Sequence, residues 1–171
     1  MRTFLPALGL VVALFAATPA HAQFANRSLG LSAGYMNFNG TASLGDTVFL
    51  GFDASLYIEG GFEAVSLTKL SFPMDPITGR RVVGLAPSLG LRYLFLEESF
   101  RPYVGADLSY LHIFKPQANS SFFGVGPNLG IEFFVSDSIS LGARAQYNVY
   151  LSLEEAVQTS LMLSAGTAVY F

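Results

Sequence analysis

From Ser28 onward the chain repeatedly places apolar residues at every second position, with small or polar residues between them. Period two marks a strand whose two faces meet different surroundings. Eight stretches carry it, at 28–36, 47–59, 62–72, 82–95, 101–112, 123–135, 139–150 and 160–171. In the second, Val48, Leu50, Phe52, Leu56 and Ile58 oppose Gly51, Asp53, Ser55 and Tyr57. In the seventh, Ile139, Leu141, Ala143, Ala145, Tyr147 and Val149 oppose Ser140, Gly142, Arg144, Gln146 and Asn148. The third alternates poorly, and the pattern does not say which face holds Lys69.

The two faces differ in a way that gives them direction. One is nearly pure Leu, Val, Ile, Phe and Tyr, which suits lipid. The other is mostly Gly, Ser and Ala with a few ions, which suits the cramped lumen of a small barrel. Pro87 and Pro127 fall on outward positions within strands, where bulges are the expected remedy. The intervening gaps, at 37–46, 60–61, 73–81, 96–100, 113–122, 136–138 and 151–159, alternate between longer and shorter. Gly60-Gly61 suits a two-residue hairpin, because glycine supplies positive φ. With both termini in the periplasm, the short connections fall on the periplasmic side.

Composition sharpens this reading. Hydrophobic residues make up 51% and charged residues only 12%, against about 25–35% on an ordinary soluble surface. Yet after Ala22 no uncharged apolar run approaches the ~20 residues of a spanning helix. A closed barrel, with every backbone group bonded between strands, is the other way to live in lipid. The predicted fold is therefore all-β: one eight-stranded antiparallel transmembrane β-barrel over residues 23–171.

Residues 1–22 read as a cleaved signal peptide, with Arg2, an apolar run from Phe4 to Ala17, and the small-residue site Ala20-His21-Ala22. The rival, a retained anchor, is opposed by Pro6, Pro19 and that site. Cysteine is absent, so neither a disulfide framework nor a lipid anchor on cysteine is available. Without the leader, eight basic residues face twelve acidic ones, a net charge of −4 that gives no support to nucleic-acid binding.

The signal peptide, "LGLRYLF" through "RPYVGADLSY" at 89–110, "LGIEFF" through "SISLGARAQY" at 129–147, and the terminal "AVYF" together resemble the small eight-stranded outer-membrane barrels of the OmpA/OmpX type. The resemblance implies an integral place in the cell outer membrane, with lipid and lipopolysaccharide as surroundings. It also implies that the last strand, ending in Phe171, is the segment read by the barrel-assembly machinery during insertion. No peptidoglycan-binding domain of the OmpA kind is expected after Phe171. Many unrelated tasks sit on this barrel, so the resemblance is weak on function.

Candidate chemistry is sparse. Lumenal charges at Asp53, Arg92, Asp107, Glu132 and Arg144 are expected to pair as Arg92–Asp107 and Glu132–Arg144 across two hairpins, with Asp53 nearby, plugging the lumen. A narrow ion path is the alternative. His112, Ser120, Ser121, Glu154 and Glu155 are the residue types of a lipid-modifying triad. However, the segment lacks the His-x-Ser spacing of the outer-membrane deacylases, and Asn148 takes the corresponding place near the end of the seventh strand. An interfacial His112 beside Tyr110 is the plainer reading. One histidine without cysteine is a poor metal site, and no cofactor is called for.

Arg80, Arg81 and Lys115 give the outer rim a basic character that could meet lipopolysaccharide phosphates, or simply be solvated. Three N-x-S/T matches, at Asn26, Asn39 and Asn119, carry little weight in a bacterial setting. The resulting expectation is a non-enzymatic barrel that is structural or binds envelope proteins, as a subunit anchoring a motility or secretion machine would. A narrow OmpW-like conduit for small or hydrophobic solutes is the alternative, and a lipid A-modifying enzyme the third.

Overall fold

The computed structural model describes residues 26–40, 44–75, 78–115, 119–151 and 158–171. The expected signal peptide, Glu154 and Glu155 lie outside the described residues. Eight strands follow one another: β1 (Arg27–Gly40), β2 (Thr47–Glu59), β3 (Phe62–Ser71), β4 (Val83–Leu94), β5 (Phe100–Phe114), β6 (Ser120–Phe134), β7 (Ile139–Leu151) and β8 (Gln158–Tyr170). Each pairs antiparallel with the next. β1 also pairs with β8, from Ser28 opposite Tyr170 to Gly40 opposite Gln158, which closes the barrel. No sheet edge is left open, so no backbone row lacks its partners.

Strand faces follow the alternation. Leu31, Leu50, Leu89, Leu108, Leu129 and Leu163 point outward and are exposed, while Ser28, Ser55, Ser88, Asp107 and Glu132 point inward and are buried. β3 is settled by its neighbours: Glu63, Val65, Leu67, Lys69 and Ser71 face the lumen. Its outward face carries Ala64, Ser66 and Thr68 between Phe62 and Leu70, which is why its sequence hides the period. Gly60 and Gly61 form the β2–β3 turn with φ of 60° and 83°, values that suit residues without a Cβ.

The prolines are accommodated without the expected bulges. Pro87 sits opposite Thr68 on β3, while the β4–β5 ladder skips from Leu85–His112 to Ser88–Ser109 in unchanged register. Pro127 faces Ala106 on β5, and the β6–β7 ladder likewise skips from Val125–Val149 to Asn128–Gln146. Each proline ring lacks an N–H and simply costs its ladder a rung on one side.

The interior has two unlike halves. Toward the loops after β1, β3, β5 and β7, Met36, Phe38, Phe49, Leu111, Phe122, Tyr150 and Met162 pack into a buried apolar cluster. Toward the termini the lumen is polar and charged. A lumen of small and polar residues throughout was expected, and the apolar half departs from it. Phe49, Leu111 and Phe122 occupy the inward phase, where an eight-stranded interior is just wide enough for side chains to fill.

Candidate functional site

At the end of the barrel that holds the termini, one belt of side chains touches every strand. Ser28 on β1 shares a 2.6 Å hydrogen bond with Ser55 on β2, which donates to Glu63 on β3. Arg92 on β4 donates from Nε to Glu63 Oε2 at 2.6 Å, and its Nη2 lies 3.4 Å from Glu132 Oε2 on β6. The guanidinium also lies 4.6 Å over the ring of Tyr103 on β5. Tyr170 on β8 and Ser140 on β7 donate to the two oxygens of Glu132, at 2.7 and 2.6 Å. Charges taken out of water need such partners on every side.

A second tier lies deeper. Arg144 pairs with Asp107 across the lumen. Lys69, fully buried, donates to Gln146 at 3.4 Å, and Gln146 donates through Asn148 toward Ser160. Asp53 accepts from Ser32 at 2.8 Å. Between the tiers is a cavity of about 80 Å³ lined by Asp53, Arg92, Glu132 and Arg144 among others. A further cavity of about 210 Å³, lined by Tyr57, Glu63, Glu97, Arg101 and Tyr170, lies at the mouth beside the termini.

The structure thus places Asp53, Arg92, Asp107, Glu132 and Arg144 in one lumen but corrects the expected partners. Arg92 pairs with Glu63 and Glu132, not Asp107, and Arg144 pairs with Asp107, not Glu132. Glu63 stands directly opposite Arg92 in register, whereas Asp107 is diagonal to it. A direct cross-strand neighbour is closer than a diagonal one. Sequence reasoning missed Glu63 because the faces of its strand were unreadable. It missed Tyr170 because its partners lie on strands not adjacent to its own, and Tyr103 because its contact with Arg92 on the neighbouring strand is ring to guanidinium, not charge to charge.

At the opposite end, Arg80 and Arg81 are exposed and Lys115 half-buried. Arg81 donates to the carbonyl of Phe72 at 3.1 Å. Just below them an outward polar cluster interrupts the apolar wall. His112 Nδ1 lies 2.9 Å from Ser121 Oγ, which is itself 2.9 Å from the Tyr110 hydroxyl. Ser120 and Ser121, expected in a loop, are the first residues of β6. Ser120 faces inward and Ser121 stands opposite His112. Asn148 is buried in the lumen and far from serving this cluster. Among the described residues no carboxylate bonds to His112, and no group of His, Asp or Glu is placed to hold a metal ion.

This geometry can be set beside known proteins. The sequence profile of the outer membrane protein beta-barrel domain matches residues 7–166, nearly the whole chain. The chain belongs to that family.

As an outer-membrane β-barrel, it presents its exposed leucines and phenylalanines to lipid rather than to water. Among solved structures, Neisserial surface protein A is 17% identical with a TM-score of 0.68, covering 85% of this chain and 97% of its own. The outer membrane enzyme PagL is 17% identical with a TM-score of 0.57, covering 81% and 97%. OprG of Pseudomonas aeruginosa is 10% identical with a TM-score of 0.55, covering 86% and 97%. At these identities the likeness is one of fold. No curated protein matches the chain in sequence.

Proposed function

We propose that this protein is a non-enzymatic, closed outer-membrane barrel whose work is structural or interactive, as an integral subunit anchoring envelope partners such as those of a motility or secretion machine. The observation that carries this reading is the double seal of the lumen. An apolar cluster fills one half, and a belt of paired charges bonded to all eight strands crosses the other. A conduit for solutes needs a continuous wet path, and hydrophobic constrictions stop conduction by dewetting.

Both termini are read as periplasmic. The short connections at 60–61, 95–99 and 135–138 share the end that holds Arg27 and Phe171. In barrels of this kind short turns are periplasmic and longer loops extracellular. Because the chain has no cysteine, single substitutions Lys115→Cys and Glu98→Cys report orientation directly. In intact cells a membrane-impermeant maleimide is expected to label the first and spare the second; the opposite pattern inverts the barrel.

The functional test is in-cell cross-linking, mild-detergent purification from outer membranes, and identification of co-purifying proteins by mass. A reproducible envelope partner is expected. Lipid alone, together with conductance steps in planar bilayers, would replace the anchoring role with that of a narrow channel.

A further inference from the structure

We infer that Tyr110, His112 and Ser121, with Lys115 above them, form a binding site for the phosphate of an outer-leaflet glycolipid on the outside wall of the barrel. The inference rests on the orientation proposed above, which makes the β5–β6 loop end extracellular.

Position is the first support. Outward residues of β4, β5 and β6 are otherwise apolar: Leu85, Leu89, Leu108, Phe123, Val125 and Leu129 are all exposed to lipid. His112 and Ser121 each stand two residues or fewer from a strand end, at the level where headgroups replace acyl chains. Polar groups facing hydrocarbon are costly unless satisfied, so a cluster here is suited to the headgroup layer.

Hydrogen-bond accounting is the second. The Tyr110 hydroxyl, Ser121 hydroxyl and His112 Nδ1 satisfy one another within the cluster. The other ring nitrogen, Nε2, on the opposite edge, bonds to no protein group among the described residues. In the tautomer that accepts at Nδ1, Nε2 carries the proton that a ligand oxygen can accept. The ring itself is held by Phe114, edge-on at 4.5 Å, and by Tyr110, stacked at 6.1 Å.

Charge is the third. Val83 pairs with Phe114, so Lys115, next after Phe114, lies on this stretch of rim, while Arg81 turns its guanidinium to the Phe72 carbonyl on the β3 side. Asp75, the carboxylate of the β3–β4 loop, is buried and accepts from Thr78. Among the described residues no carboxylate bonds to Tyr110, His112 or Ser121; donors with a cation nearby favour an anion, and charge-assisted hydrogen bonds to phosphate are the strong ones. The apolar wall beneath selects a phosphate that carries acyl chains.

The test uses protein folded in detergent, with native mass spectrometry reading bound lipid, so that orientation plays no part. Diphosphoryl lipid A, its dephosphorylated form and inorganic phosphate are compared on the wild type and on Tyr110→Phe/His112→Leu/Ser121→Ala. These outward substitutions leave the lumen untouched, and a boiling-dependent gel shift verifies folding. Wild type is expected to hold diphosphoryl lipid A at least about tenfold more tightly than the variant, as lost hydrogen bonds to a charged group imply. The dephosphorylated lipid should show no such difference. Equal binding by wild type and variant, or equal preference for the dephosphorylated lipid, overturns the site; competition by inorganic phosphate alone at similar concentration overturns its lipid character. A second readout needs no variant. In protein expressed from Gln23, His112 is the single histidine, and its Nε2 resonance should move on adding lipid A and stay fixed with the dephosphorylated form.

Discussion

Arg92 Nε lies 2.6 Å from Glu63 Oε2, directly across the β3–β4 ladder, with Glu63 almost wholly buried. This pair is the centre of a belt that ties all eight strands at the end where the chain closes on itself. The second carboxylate, Glu132 on β6, reaches the same guanidinium over the intervening strand β5. Curvature, not sequence proximity, brings them together.

Removing the charge of Glu63 should therefore be costly. Glu63→Gln keeps the shape but leaves Arg92 with Glu132 alone, and breaking a buried pair costs about 3 kcal/mol or more. Urea unfolding in lipid vesicles is expected to show a lower midpoint. Adding Arg92→Met to that variant should recover part of the loss. A midpoint unchanged by Glu63→Gln would mean the belt does not depend on this pair.

The apolar half makes a separate prediction. Phe122 is buried against the inner cluster, and its truncation to alanine should cost about 3–5 kcal/mol. The wild type is expected to be silent in planar bilayers, and Phe49→Ala/Phe122→Ala should stay silent because the charged belt still closes the other half. Conductance steps in the double variant would assign the seal to the apolar cluster alone.

Two glycines on neighbouring strands should respond in opposite ways. A Cβ at Gly126 would fall on the carbonyl oxygen of Tyr147 and within 2.9 Å of Asn148 Cα, neither of which yields easily. At Gly142 its nearest contact is the Ile131 carbonyl at 3.4 Å. Gly126→Ala should lose about 1–3 kcal/mol by overpacking, while Gly142→Ala should be close to neutral in the same unfolding assay.

The last residue offers a way to separate insertion from stability. Phe171 is exposed and donates its backbone N–H to the Arg27 carbonyl at 2.9 Å. Phe171→Ser keeps that backbone bond. Purified variant should fold in detergent with the wild-type gel shift, while its yield in the outer membrane falls several-fold. Equal yields would remove Phe171 from any part in delivery.

Much of the architecture was legible along the chain. Alternation located all eight strands and the outward faces of all but β3, since period two is set by the pleat and requires no knowledge of the partner. It failed where lumenal and lipid-facing residues stopped differing. Ser66 and Thr68 face outward on β3 beside an inward Leu67, so Glu63 and Lys69 could not be placed. Near the loops Phe49 stands between Val48 and Leu50, and Phe122 beside Phe123. Such broken alternation is the trace of the apolar half, readable only as a loss of pattern.

Read along its length, the chain already declares its strands, their number, the facing of most of them, and a product that belongs in lipid. Each follows from the chemistry of neighbours along one strand. Only the closed barrel decided that Arg92 meets Glu63 and Glu132, that Arg144 meets Asp107, that phenylalanines seal one half of the lumen, and that Ser121 stands beside His112. Those relations depend on register between strands and on the short distance across a narrow lumen, quantities that a single strand's period does not contain.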